Sequence, residues 1–222
     1  MRDIDDFQTL VLPYAGNAPE PLVLRCIRDA AVRFCERTKL WRSTANIVTT
    51  GENPETVTVP TDSVLYMISA CSLVETDTDP DTMVTTIVGG LPLEPTTLPE
   101  LSQKYPNWRT DDIGCAGPKW YVAPDRGKIQ MVPRTAGTMF VETIVKPTAT
   151  AQTLPDFLLD EYGQTIADGA AGSLLLMPNM AFANPQLGAG LVARFQSNLD
   201  SLSNAGVRGQ QGGRTRTRGR FF

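Results

Sequence analysis

The stretch that decides the fold is Leu154–Ala205, LPDFLLDEYGQTIADGAAGSLLLMPNMAFANPQLGAGLVARFQSNLDSLSNA. It reads as two helices joined by a short, punctuated connection. Pro155 suits a helix start, where its missing N–H costs little and its φ is already set. Leu158, Tyr162, Ile166, Gly169, Ser173 and Leu176 then recur at helical spacing. Pro178 stops that helix. Asn184 is placed to cap a second one with Pro185 at its first position, and Leu187, Leu191, Phe195, Asn198 and Leu202 carry it to Gly206. Gly163, Gly169 and Gly172 are the anomaly of the first helix. A glycine inside a helix costs about 1 kcal/mol relative to alanine. Three of them ask for a very close neighbour, either within the chain or in an adjacent subunit.

Upstream, residues 19–42, PEPLVLRCIRDAAVRFCERTKLWR, carry a second strong helical signal. Val23, Ile27, Ala30, Phe34, Thr38 and Trp41 form one stripe. Arg25, Arg28, Asp29, Arg33, Glu36, Arg37 and Lys39 occupy much of the other side, as a solvated face or as contacts to an acidic neighbour. Residues 1–18, broken by Pro13, Gly16 and Asn17, read as an irregular N-terminal arm.

Between residues 43 and 147 helical period gives way to short β-branched runs separated by Gly, Pro and Asp. The strands expected are Asn46–Thr50, Thr56–Pro60, Val64–Val74, Met83–Val88, Trp120–Ala123, Ile129–Val132 and Met139–Lys146. Gly51-Glu52-Asn53-Pro54 and Pro124-Asp125-Arg126-Gly127 read as hairpin turns. Leu91–Gly117 reads as a long loop with a helical turn near Leu98–Tyr105. The fold class expected is therefore α+β. A helical domain (19–42 and 154–205) holds an inserted antiparallel β sandwich or barrel-like domain (43–147), and a basic C-terminal arm (206–222) follows.

At 222 residues the chain suits one domain or two small ones. No apolar run reaches membrane-spanning length, and the acidic N-terminus, MRDIDDFQTL, lacks a signal-peptide pattern, which implies synthesis in a cytoplasm. The formal charge of −4 hides an asymmetry. Five of the 20 cationic residues lie at or beyond Arg208, where there is no acid. The rest of the chain keeps 15 against 24 acids, a net charge of −9. The sequence GVRGQQGGRTRTRGRFF has no means of building a core and is expected to be disordered in an isolated chain. Extended, its last fifteen residues reach about 50 Å. Nucleic-acid binding, solubilisation and docking on an acidic partner are its three readings, and the terminal Phe221-Phe222 favours protein docking.

Catalytic chemistry has little to work with. The chain has no histidine, which removes Ser-His and Cys-His nucleophiles and histidine metal sites. Cys26, Cys35, Cys71 and Cys115 contain no CxxC pair. The first two lie about 13 Å apart on one helix, too far for a disulfide. Buried free thiols are the expectation, and no cofactor or metal is called for. Asp77-Thr78-Asp79-Pro80-Asp81 opens like a calcium loop, but Thr82 and Val88 stand where glycine and glutamate are needed. Asp111-Asp112 and Asp160-Glu161 are adjacent acids, which sequence adjacency does not make a catalytic pair. Pro106-Asn107-Trp108-Arg109 and Lys119-Trp120-Tyr121 pair aromatics with cations, for packing or for base stacking.

Four stretches taken together carry a family pattern. They are Leu22–Arg42, containing VLRCIRDAAVRFCERTKLWR; Pro106–Arg109, PNWR; Leu154–Met177, opening LPDFLLDEY; and Met177–Phe195, MPNMAFANPQLGAGLVARF. In this order they resemble the head-to-tail adaptor proteins of tailed phages, chiefly short-tailed ones. The resemblance implies a non-enzymatic virion protein at the head–tail junction, assembled as a dodecameric ring beneath the portal. It implies an extended DNA channel and a platform for nozzle or fibre proteins. Arg208, Arg214, Arg216, Arg218, Arg220, Phe221 and Phe222 would then form the portal-binding arm. Gly163, Gly169 and Gly172 would serve subunit packing. An acidic body suits a conduit for DNA, since like charge keeps DNA off the wall. The alternative is a nucleic-acid-binding protein acting through its arginine-rich tail.

Overall fold

A computed structural model of the protein describes residues 1–78, 85–108 and 117–208. The elements run in the order β1 (Arg2–Asp3), a 3-10 turn (Ile4–Phe7), α1 (Gln8–Val11), α2 (Glu20–Thr38), β2 (Arg42–Thr49), β3 (Glu55–Thr56), β4 (Ser63–Thr78) and β5 (Thr85–Pro92). They continue with β6 (Glu94–Pro95), α3 (Leu98–Lys104), β7 (Trp120–Val122), β8 (Lys128–Val132), β9 (Gly137–Pro147), β10 (Thr153–Leu154), α4 (Asp156–Asp160), α5 (Gly163–Leu175) and α6 (Pro185–Arg208). The fold is α+β. Two compact units divide it. One holds Met1–Trp41, Asp62–Val64 and the chain from Lys146 onward; the other holds Arg42–Thr61 and Leu65–Val145.

The first unit is built on three long helices. In α2, Val23, Ile27, Ala30, Ala31 and Phe34 are buried, the stripe that the spacing demands. The helix ends at Lys39, whose φ of 56° is left-handed, and its N–H donates to the Cys35 carbonyl at 2.9 Å. Trp41, expected at the end of the helical stripe, lies beyond the helix and is buried all the same. α5 packs against both α2 and α6. Ile166, Ala167, Ala170, Ala171, Leu174 and Leu175 are buried on it, and Leu191, Phe195 and Leu199 on α6. Arg37 pairs with Asp200 at 2.7 Å, and Lys146 with Glu36 at 2.5 Å.

Three sequence expectations change here. Residues 1–18 are not an irregular arm over their first half. Ile4, Phe7 and Val11 are buried at helical spacing, and β1 pairs antiparallel with β10. Pro13 and Gly16 follow this short pattern and mask it in a longer window. The helix expected from Pro155 to Leu176 is two helices, because Tyr162 leaves the helical conformation at φ −124° and ψ 7°. Its ring lies 5.0 Å from Phe34 and 6.4 Å from Phe157. Leu158, Tyr162 and Ile166 keep the same phase across the break, so periodicity alone does not reveal it. Finally, α6 continues past Gly206 to Arg208.

The second unit contains two four-stranded sheets, ordered β2-β9-β4-β5 and β3-β8-β7-β6. Both feed one apolar cluster that includes Ile47, Cys71, Met139 and Val141 from the first sheet and Tyr121, Ile129 and Met131 from the second. Pro124–Gly127 makes the expected hairpin between β7 and β8, with Gly127 at φ 73°. Gly51–Pro54 does not make one, because β2 and β3 belong to different sheets. Thr56–Pro60 shrinks to a two-residue strand, and Leu91–Gly117 contains the short β6, parallel to β7, before α3. α3 opens with a capping box in which Thr97 and Glu100 satisfy each other's backbone.

Candidate functional site

The close neighbour that the α5 glycines require lies in the same chain. A Cβ built on Gly172 meets Val192 Cγ2 at 2.8 Å, the Val192 backbone N at 3.0 Å and the Gly188 carbonyl at 3.2 Å. A Cβ on Gly169 meets the Phe195 ring at 3.0 Å, and one on Gly163 meets Leu10 Cδ1 at 3.1 Å. Gly188 returns the contact from α6, with the Gly172 carbonyl 3.1 Å from its would-be Cβ. α5 and α6 therefore approach backbone to backbone through Gly172 and Gly188.

One ionic clamp ties this interface together, and sequence reading missed it. Asp168 sits among the small residues of α5 and is 1% exposed. Arg194 of α6 grips it with two donors. Nε lies 2.5 Å from Oδ2, and Nη2 donates to Oδ1. Gln164 Nε2 adds a donor to Oδ1 at 3.0 Å and also reaches the Tyr14 hydroxyl at 3.5 Å. Hydrogen bonding to Asp168, then to Tyr14, pushes the Arg194 pKa above its ordinary value. The outer part of the guanidinium faces solvent, with the side chain 52% exposed. The available sequence signal was an acid in the middle of an Ala/Gly helix, a position where charge is rare unless paired.

The exposed positions of α6 include a strip of small residues, Ala189, Gly190, Ala193, Ser197 and Ser201, alongside the longer Gln186, Arg194, Gln196 and Asp200, and a Cβ on Gly190 meets nothing within 4 Å. The formal charges near it are matched in the chain, Arg194 by Asp168 and Asp200 by Arg37. Leu176, Met180 and Leu187 are exposed at or beside the α5–α6 connection. At its start α6 is capped as the sequence implies, with the Leu187 N–H donating to Asn184 Oδ1 at 3.2 Å.

The remaining candidates resolve as follows. Cys26, Cys35 and Cys71 are free and buried, and burial pushes their thiols up to about 11, 12 and 12. Trp108 is buried with Leu101, Val122 and Val132, and its indole N–H donates to Ser102 Oγ at 3.3 Å, so it does not offer a face for base stacking. Tyr105 and Trp120 pack as tilted rings with centroids 5.0 Å apart. Among the described residues no cluster of Cys, Asp and Glu is arranged to hold a metal ion, and no helix is long and apolar enough to cross a membrane. Arg208 is the last residue of α6. Arg214, Arg216, Arg218, Arg220, Phe221 and Phe222 lie outside the described residues, as do Cys115, Asp111-Asp112, Arg109 and the 79–84 part of the calcium-like run.

Comparison with curated proteins finds no match. A family model described as SU10 adaptor protein matches residues 2–220, both units included. A helical unit tightened through glycines, with a β unit between its first and later helices, is thus the form this family pattern takes here, and the chain belongs to the SU10 adaptor family of phage head–tail adaptor proteins.

Proposed function

We propose that this chain assembles as a homo-oligomeric ring, a dodecamer by resemblance, that joins the phage portal to the tail. In this reading the ring extends the DNA channel and carries docking sites for nozzle or fibre proteins. The inserted β unit, sandwich- or barrel-like, supplies such sites. The observation that carries the proposal is the family match over nearly the whole chain. The strip of small exposed residues on α6, Ala189, Gly190, Ala193, Ser197 and Ser201, supports it, since such a strip allows the close approach of a neighbouring subunit. Gly163, Gly169 and Gly172 serve subunit packing indirectly, by fixing how α5 presents α6. Arg208, Arg214, Arg216, Arg218, Arg220, Phe221 and Phe222 form the arm that reaches the portal.

Electron microscopy of the full chain mixed with candidate portals tests the reading. The expected result is a ring stacked on one face of the portal, and absence of any ring with every tailed-phage portal tried overturns it. Deleting 209–222 should leave folding intact and abolish attachment; normal attachment of the truncated chain removes the arm assignment. The nucleic-acid alternative expects DNA affinity that falls steeply with salt and disappears with the same deletion.

A further inference from the structure

β2 is an edge strand. It pairs with β9 in unbroken register from Arg42↔Ile144 to Thr49↔Gly137, and no described strand lies on its other side. Natural sheets blunt such edges with proline, lysine, bulges or a cover. Past the exposed Arg42 that opens the strand, Ser43 to Thr49, STANIVT, has no proline, no charge and no bulge. Thr44, Asn46 and Val48 are exposed, Val48 to 74%, while Ile47 belongs to the core cluster. The edge therefore offers backbone donors and acceptors beside a core rim.

We propose that this edge receives the C-terminal arm of an adjacent copy of the chain by strand addition, a proposal that rests on the ring reading. Arg214-Thr215-Arg216-Thr217-Arg218-Gly219-Arg220-Phe221-Phe222 has the two-residue period of a strand and is long enough to cover Ser43–Thr49. Its two faces differ in the sense the edge requires. Thr215, Thr217, Gly219 and Phe221 turn toward the side of Ala45 and Ile47. Arg214, Arg216, Arg218, Arg220 and Phe222 turn toward the solvent side, which holds Thr44, Asn46, Val48 and, opposite Thr44 on β9, Glu142, with Arg42 at the far end of the strand. The reverse orientation buries four guanidinium groups against a core rim, which is costly. Gly209-Gln210-Gln211-Gly212-Gly213 gives a leash of about 17 Å beyond α6. An arm passed from each copy to the next is a head-to-tail contact, the kind that closes into a ring. The docked arm displays its arginines about 7 Å apart in a row. This is how the arm of one subunit, held by its neighbour, presents cations to the portal.

Amide hydrogen exchange on the full chain, measured across a concentration series that spans assembly, tests this. Amides in Ser43–Thr49 and in Thr215–Phe221 should slow together, by tenfold or more, as copies associate. Thr217→Pro removes an arm N–H without changing charge; it should abolish the β2 protection while the unfolding midpoint stays at the wild-type value. Val48→Lys should weaken the same protection through repulsion of the arginine row, and Val48→Glu should preserve it. Assembly with β2 amides unprotected, or protection unaffected by Thr217→Pro, overturns the proposal and leaves the ring reading standing. Protection that is independent of concentration overturns the adjacent-copy assignment. A chain that stays monomeric alone and with portal overturns both readings.

Discussion

The contact geometry of the α5 and α6 glycines predicts three different outcomes for one chemical change, Gly→Ala. In a helix interior the change itself is worth about 1 kcal/mol in favour of alanine, and less at Gly163, the first residue of α5. At Gly190 the new methyl meets nothing within 4 Å, so the gain stands and stability should rise by about 1 kcal/mol. At Gly163 the obstacles are Leu10 Cδ1 at 3.1 Å and Leu159 Cδ1 at 3.3 Å, both ends of flexible side chains, so small rotations absorb the methyl and the net change should lie near zero. At Gly172 the methyl meets the Val192 side chain and, decisively, the Val192 backbone N at 3.0 Å and the Gly188 carbonyl at 3.2 Å. Backbone does not step aside, so α6 must retreat by roughly half an ångström, at an over-packing cost of about 1–3 kcal/mol. Set against the propensity gain, Gly172→Ala should lose about 1 kcal/mol and sit about 2 kcal/mol below Gly190→Ala. Urea unfolding followed by far-UV circular dichroism measures the differences. Equal stabilities for Gly172→Ala and Gly190→Ala would refute the within-chain account of the small-residue face. If Gly172→Ala then blocked assembly alone, the glycines would belong directly to a subunit contact.

Two further predictions probe polar contacts in the helical unit. Arg194→Ala leaves the Asp168 carboxylate buried without its cation and should cost about 3 kcal/mol, whereas Asp168→Asn leaves a half-exposed guanidinium that water can reclaim and should cost about 1 kcal/mol. Equal costs in equilibrium unfolding would mean that the carboxylate is hydrated. The second concerns Asp62, at φ 59°, which accepts hydrogen bonds from Thr153 Oγ1 at 2.8 Å, the Thr153 N–H at 2.9 Å and the Gln152 N–H at 3.2 Å. The Thr153 side chain, then its N–H, holds the Asp62 carboxyl below its ordinary value. A depressed carboxyl pKa stabilises the fold above the unfolded value of about 3.9, and that contribution fades as pH falls through the folded value. The stability gap between wild type and Asp62→Asn should therefore narrow from pH 7 to pH 3; a constant gap across that range counts against the account.

Much of the architecture is legible in the chain because its elements carry local signals. The α2 stripe, the Asn184-Pro185 start and the helical turn near Leu98–Tyr105 each need only a few adjacent residues to declare themselves. Pro124–Gly127 is legible for the same reason, since Gly127 supplies the positive φ of a tight hairpin. Gly51–Pro54 uses similar residues for another purpose. Gly51, at φ 84°, turns the chain from one sheet toward the other, and turn chemistry does not name the strand's partner. The N-terminal helix and the break at Tyr162 were hidden because their reward is tertiary. Ile4, Phe7 and Val11 have a core only when α2 and α5 are present, and Tyr162, out of helical conformation, packs its ring against Phe34 of α2.

The sequence by itself determined that this is an α+β chain of the phage adaptor family with an acidic body and a basic end, and that something must press closely on Gly163, Gly169 and Gly172. Composition, period and charge order are properties of neighbouring residues, so they survive without coordinates. Only the tertiary structure decided what presses there: Val192, Phe195, Gly188 and Leu10 of the same chain. It also decided that Asp168 is clamped by Arg194, 26 residues away, and that β2 is left at an edge. Those facts depend on which segments meet in space, and no local pattern encodes the partner.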